Sequence, residues 1–457
     1  MRYAAIILCA LLLGACIPNR SYRANDFAGI PSPSVCAAVA SSNVRLERGD
    51  WMENNASDAA RKGYKLGFIE FDDFGEFRNR CQLQTVTDAI REAKKGPTHS
   101  VAVIVFVHGW KNSASDQSGN VWGFRDELQE VARNVCKPES PSARGCVPAN
   151  VPVLGIYIGW RGDVARFGKN LTFWDRRDTA THVGGAHMTE ALLEIINETK
   201  GPNYADPSTC ILVGHSFGGL LLEHALTQTL VNIIERQSVE QANNPNPSFA
   251  SPVDLLVFIN EAAPAIEAKR TLDFLQAHDV HLIREREYPL ILSMTSESDL
   301  ATKIALPGGQ ALSLPLNSLR TYPNPDQFGV TKQRSYYLQS TANMGALQSH
   351  RVGNANTPEI AADYKASGEF THFEIGEDTY RVVPIPNAKN RTAYWVMQIP
   401  QQIVPDHGTI FRKEFRMLLQ SFLPAPAGPI NNLSAPGQPA SLRLASMKSQ
   451  ITFRKSH

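Results

Sequence analysis

Cys210-Ile211-Leu212-Val213-Gly214-His215-Ser216-Phe217-Gly218-Gly219-Leu220 is the stretch from which the rest of this chain is read. An apolar run of strand character leads into Gly-His-Ser-Phe-Gly-Gly, and a run of helical character, Leu220 to Leu230, follows. This is a G-x-S-x-G pattern in a strand–turn–helix setting. Such a turn is tight enough to strain the serine backbone. Gly214 and Gly218 remove the Cβ atoms that would clash across it. The geometry lifts the Ser216 hydroxyl above the sheet and aims backbone N–H groups at whatever binds there. Ser216 is therefore the candidate nucleophile.

Upstream, Val101 to Val107 is a continuous β-branched run, as suits a strand buried on both faces of a parallel sheet. It ends in His108-Gly109-Trp110. Tyr64 to Phe71 and Val151 to Ile158 read as further strands, and Gln82 to Lys95, Phe124 to Val135 and Met188 to Ile196 as helices. Asp72-Asp73-Phe74-Gly75 is a turn, with no partner ligands at calcium-loop spacing. Arg161 to His187 is polar and irregular. Downstream, Arg236 to Pro252 reads as a surface loop, and Leu255 to Ile259 and Tyr288 to Thr295 as strands. The second of these runs into Ser296-Glu297-Ser298-Asp299. After about ninety residues, too many for a structureless loop, Ala393 to Ile399 is the last strand. It leads to Pro405-Asp406-His407-Gly408, and Phe411 to Phe422 is a helix. Strands alternating with helices predict an α/β fold, a mostly parallel sheet covered on both faces.

Acyl transfer by serine needs a base for the hydroxyl proton, an acid to orient that base, and N–H donors for the oxyanion. The order Ser216, Asp299, His407, each at a strand end, resembles the α/β-hydrolase superfamily and its esterase and lipase branch. Within that branch the chain looks like bacterial lipoprotein hydrolases. The resemblance runs from Tyr64 to Phe422 and rests on His108-Gly109-Trp110, Gly214 to Gly219, Asp299 and Asp406-His407-Gly408. It implies an acyl-enzyme mechanism with Asp299 as the acid and His407 as the base. Glu261 is the competing position for the acid. His350, His372 and His457 are the other histidines downstream of Asp299. The backbone N–H groups of Trp110 and Phe217 are the implied oxyanion donors. His108 braces the first of these, and His215 serves packing. Residues 300–392 are expected to form a lid or cap. The implied substrate is a small-molecule or lipid carboxylic ester, with no metal and no organic cofactor. A thioesterase or transacylase would carry the same residues. The reading from another class is an envelope lipoprotein that uses the fold as a binding scaffold without turnover.

A net charge of +1 with no long basic run gives no sign of a nucleic-acid partner. The N-terminus is more telling. Arg2, a short apolar core from Ala4 to Leu13, and Gly14-Ala15 before Cys16 mark a secretory signal peptide. The cysteine after them resembles the bacterial lipobox, which implies a lipidated Cys16 at the mature N-terminus. Ile17, in place of Asp, favours the outer membrane by that family's rule. The expected organisation is 1–15 signal peptide, 16–50 lipidated tether, 51–423 hydrolase domain and 424–457 disordered tail. An oxidising envelope compartment permits disulfides. Cys136–Cys146 and Cys36–Cys81 are the candidate pairs, with Cys210 a buried thiol.

Overall fold

The strands follow from their composition. β1 (Glu47–Gly49), β2 (Tyr64–Glu70), β3 (Ala102–Val107), β4 (Val153–Gly159), β5 (Thr209–His215), β6 (Leu255–Ile259) and β7 (Ile291–Ser296) precede a group of three, β8 (His350–Asn354), β9 (Thr371–Ile375) and β10 (Asp378–Pro384); β11 (Tyr394–Ile399) is last. The computed structural model describes residues 19–27, 35–36, 46–49, 63–136, 145–148, 150–163, 173–242, 250–277, 288–313 and 318–423. The expected signal peptide, Cys16 and the tail from 424 lie outside them, as does His457.

The main sheet has the order β1-β2-β4-β3-β5-β6-β7-β11. Every neighbouring pair is parallel except β1 with β2. β3 shows why its sequence is apolar throughout. Val103, Val105 and Val107 face one core, while Ala102, Ile104 and Phe106 face the other. Alternation along a strand sends neighbours to opposite faces, so a strand covered on both sides has no polar face. Fully burying each such aliphatic side chain is worth about 1.5–3 kcal/mol.

Helices cover both faces. α1 (Cys81–Lys94), α3 (Phe173–Val183), α4 (Ala186–Lys200), α5 (Phe217–Ala242) and α6 (Ala265–Ala277) contribute to the first core. α2 (Gly119–Arg133) contributes to the second, with α10 (Lys413–Ser421) beside it. This is the α/β architecture expected. Three local expectations are corrected. Residues 161–187 are not all irregular, because they contain α3, whose buried Ala180 and Val183 are too few to make a legible stripe. α5 runs on to Ala242, into the segment expected to be loop. The 16–50 stretch is not wholly a tether either. The Ser21 hydroxyl and the backbone N–H groups of Tyr22 and Arg23 donate to the buried Glu70 carboxylate at 2.7–2.9 Å, and β1 pairs with β2.

Cys36 is bonded to Cys81, and Cys136 to Cys146, while Cys210 is a buried free thiol. The 300–392 stretch opens with one π-helical turn, Ala301–Ala305, followed by α7 (Leu306–Ser313), α8 (Gln333–Leu338) and α9 (Pro358–Ser367). β8, β10 and β9 form an antiparallel sheet of their own. That sheet lies against β11, where Ser349 N donates to Val396 O and Val396 N to Ser349 Oγ.

Candidate active site

The site lies at the C-terminal ends of β3, β5, β7 and β11, where an open α/β sheet places its functional loops. Ser216 stands between β5 and α5 with φ +57°. A non-glycine residue held in this left-handed region is strained, and such strain clusters at functional turns. Its backbone is pinned on both sides: Ser216 N donates to Ile259 O at 3.0 Å, and Ser216 O accepts from Gly219 N at 3.0 Å and Ala262 N at 3.2 Å. Gly214 and Gly218 meet across the turn, and a Cβ on Gly214 would sit 2.6 Å from Gly218 O. Gly109 is pressed as closely, since a Cβ there would come within 2.6 Å of Ser216 Cβ.

Three side chains expected from sequence come together. His407 Nε2 lies 2.7 Å from Ser216 Oγ, and His407 Nδ1 lies 2.9 Å from Asp299 Oδ2. A proton on Nδ1, donated to the carboxylate, leaves Nε2 as the acceptor of the serine hydroxyl. Asp299 is fully buried. Burial alone would raise its pKa. The hydrogen bonds from His407 and Thr302 outweigh that and hold it below the usual carboxylate range. Its Oδ1 accepts Ala301 N at 2.9 Å, and its Oδ2 also accepts the Thr302 hydroxyl at 2.9 Å.

The loop bearing His407 is fixed by groups whose roles the sequence did not disclose. His407 O accepts His215 Nε2 at 2.7 Å and Asn260 Nδ2 at 3.0 Å. Asp406 Oδ1 accepts Gly408 N and Thr409 N, closing a tight turn after His407. The Ser296 and Ser298 hydroxyls donate to Val404 O and Pro405 O, tying the end of β7 before Asp299 to the loop that carries His407. Behind Asp299, Asn343 Nδ2 donates to Thr302 Oγ1, and Gln398 Nε2 donates to Asn343 Oδ1. The 300–392 stretch thus contributes a brace for Asp299. Its first turn also leaves Leu300 and Ile304 largely exposed, at 66% and 64%, in the segment directly after Asp299.

The competing residues take other places. Glu261 is buried, and no N–H donates to its carboxylate. His350 is stacked on Trp395 with ring centroids 3.7 Å apart, and burial pushes its pKa down to about 3. His372 is paired with Glu369 on the surface. His215 is buried too, its pKa pushed down to about 3 by burial first and by His407 second. It is therefore a neutral donor to the base's loop, in keeping with a packing role. His108 is stacked with Trp160, donates from Nδ1 to Gly109 O at 2.9 Å and accepts Trp160 N at Nε2. Burial holds its pKa near about 4, so it stays neutral and holds the loop that carries Trp110. Phe217, fully buried, follows Ser216 as the first residue of α5. Asp72 Oδ1 accepts Phe74 N and Glu76 N in the expected turn, and Asp73 pairs with Arg161.

No family model matches the chain. No curated protein matches it in sequence. Among solved structures the chain is similar to the phospholipase PlaB from Legionella pneumophila in complex with thio-NAD, at 10% identity and a TM-score of 0.22. The match covers 63% of this chain and 50% of that one, so the chain spans about half the length of that protein. A likeness so slight carries no argument about the site.

Proposed function

We propose that this protein is a serine hydrolase that cleaves carboxylic esters through an acyl-enzyme. The observation that carries the reading is the unbroken hydrogen-bond chain from buried Asp299 through His407 to a serine held in a strained turn. His407 Nε2 takes the Ser216 proton as Oγ attacks the ester carbonyl. The carbonyl oxygen gains the charge, and the backbone N–H groups of Trp110 and Phe217 are the proposed donors that meet it. The tetrahedral centre collapses, the C–O bond to the alcohol breaks, and His407 gives its proton to the leaving oxygen. Water then attacks the acyl-serine with His407 again as base; the bond to Ser216 Oγ breaks, His407 returns the proton to Oγ, and the carboxylic acid leaves. Asp299 keeps the imidazole in the working tautomer and stabilises its cation. Exposed Leu300 and Ile304, in the segment directly after Asp299, favour substrates with an apolar acyl chain.

The test is labelling of the purified full chain with a fluorophosphonate probe. Stoichiometric labelling of Ser216, blocked by prior denaturation, is the expected result. A folded protein that does not label would overturn the reading and leave a scaffold.

The envelope address belongs to the same proposal. Cys16 as a lipidated residue would hold the protein at the outer membrane. Acyl chains contribute about 0.8 kcal/mol per buried methylene, and more than one chain is needed for a stable anchor. Cys16→Ser is expected to end palmitate incorporation and move the protein from the membrane fraction to the soluble one. Continued fractionation with membranes in a mutant that still takes up palmitate would refute the anchor.

A further inference from the structure

We propose that Glu223 and Glu261 are positioning residues, a proton-sharing pair that braces the turn holding Ser216 and does so only while it keeps its protons. The proposal rests on Ser216 being the nucleophile.

The two carboxyls come from the two elements that fix that turn. Glu223 lies on α5, about two turns beyond Ser216. Glu261 lies in the loop after β6, between Ile259, whose carbonyl accepts Ser216 N, and Ala262, whose N–H donates to Ser216 O. The Glu261 side chain lies against the first turn of α5, since a Cβ on Gly219 would meet Glu261 Cγ at 3.1 Å. Both residues are inside the protein, Glu223 at 3% and Glu261 at 1% exposure. Among the described residues, no N–H or O–H donor outside the pair bonds to any of their four carboxylate oxygens. The two carboxyls neighbour one another, with the Thr341 hydroxyl beside Glu261. Two acceptors can bond only if one carries a proton, so the link between α5 and the β6 loop is a carboxylic-acid hydrogen bond.

The surroundings keep that proton in place. The ionisable groups facing the pair are Glu267 and Arg270 of α6 and Tyr394 of β11. Arg270 is engaged by Glu267, and the buried Tyr394 hydroxyl is neutral and brings no positive charge. An apolar site with an adjacent carboxyl disfavours the charged form. Burial accordingly pushes Glu261 up to about 8, and burial with the neighbouring Glu261 holds Glu223 well above the usual carboxylate range. A carboxyl whose folded pKa exceeds its unfolded value of about 4.3 stabilises fully at low pH. That contribution is lost as pH rises through the folded value. The first proton leaves as pH rises through about 8 and the second only at higher pH, so the brace, which needs one proton, should hold at neutral pH and fail in the alkaline range.

The experiment compares wild type, Glu223→Gln/Glu261→Gln, Glu261→Gln and Glu261→Ala in the full chain. Three quantities are followed from pH 5 to pH 10: kcat and KM on one soluble ester, the rate of fluorophosphonate labelling, and the Tm. Wild-type kcat and labelling rate are expected to fall at least tenfold between pH 7 and pH 10, with KM nearly constant. The double glutamine variant, neutral at every pH and still able to hydrogen-bond, is expected to stay within about threefold of wild type at pH 7 and to lose the alkaline fall. Glu261→Ala is expected to lose at least tenfold at pH 7, and Glu261→Gln to restore it. The same alkaline fall in the double variant, or full activity in Glu261→Ala, would overturn the proposal. If Glu261→Ala does not fold, the Tm decides. Wild-type Tm should decline from pH 5 to pH 8 more steeply than that of the double variant, and equal slopes overturn the pair. A wild type that never labels or turns over, yet shows the steeper slope, would instead refute the nucleophile while leaving the shared proton in place.

Discussion

Ser216→Ala is expected to fold as wild type does and to lose about 10⁶-fold in kcat on a soluble ester, because the members of such a constellation act as a unit. The fold should survive because the oxygen is the only atom removed. The backbone contacts that pin the turn, from Ile259 O, Gly219 N and Ala262 N, do not use the side chain. Alanine keeps the Cβ and meets the same positive φ as serine does, so the strain is unchanged. What disappears is the hydroxyl 2.7 Å from His407 Nε2, and with it the atom that would form the ester bond to the acyl group. Residual turnover comes from water attacking in a site that still holds its base and its proposed oxyanion donors. The measurement is kcat on the purified variant beside its thermal melt. A variant that melts like wild type and keeps a tenth of its activity would refute Ser216 as the nucleophile.

The parts of this site that sequence discloses are those governed by local rules. Gly214, Ser216 and Gly218 are legible because a strand–turn–helix junction this tight tolerates few other residues. Asp299 and His407 are legible because each follows an apolar strand, and strand ends are where a parallel sheet exposes its loops. The supporting residues obey no such local rule. Asn260 reaches His407 O across 147 positions of sequence, and Gln398 reaches Asn343 across 55. Nothing in the neighbourhood of either residue points to its partner. Glu261 shows the opposite hazard. It stands at a strand end, as an acid should, but its side chain lies against the first turn of α5. α3 escaped notice because helical periodicity needs several buried apolar positions. α1, with Leu83, Val86, Ala89 and Ile90 all buried, carries the stripe that the spacing of apolar residues from Gln82 to Lys95 does reveal. The region before Asp50 looks like a linker because several contacts of its described residues are polar, with only single apolar residues such as Tyr22 and Leu46 packed on the cores. Backbone N–H groups on the Glu70 carboxylate leave no hydrophobic pattern to read.

Asp299→Asn is expected to lower kcat by about 10⁴-fold while changing KM little, the loss typical when the orienting acid of a serine–histidine pair becomes an amide. Two effects act together. Asp299 Oδ2 accepts from His407 Nδ1 at 2.9 Å and from the Thr302 hydroxyl at 2.9 Å, while Oδ1 accepts from Ala301 N. If the new amide keeps its oxygen toward Ala301 N, its NH₂ faces His407 Nδ1, and a donor there selects the tautomer with the proton on Nε2. That nitrogen then points N–H at Ser216 and has no lone pair to take the serine proton. If the amide flips, its NH₂ meets Ala301 N–H, donor against donor. The second effect is charge. When His407 becomes a cation, the carboxylate stabilising it is buried in surroundings of low dielectric, and a neutral amide cannot replace it. KM is spared because the acid touches the imidazole and not the substrate. Glu261→Gln is the control, since that carboxyl makes no hydrogen bond to the base, and at neutral pH it should keep activity within a few-fold. The measurement is kcat and KM for both variants on one soluble ester. Retention of a tenth of the activity in Asp299→Asn, or its loss in Glu261→Gln alone, would transfer the acid's role to Glu261 and require His407 to turn away from Asp299.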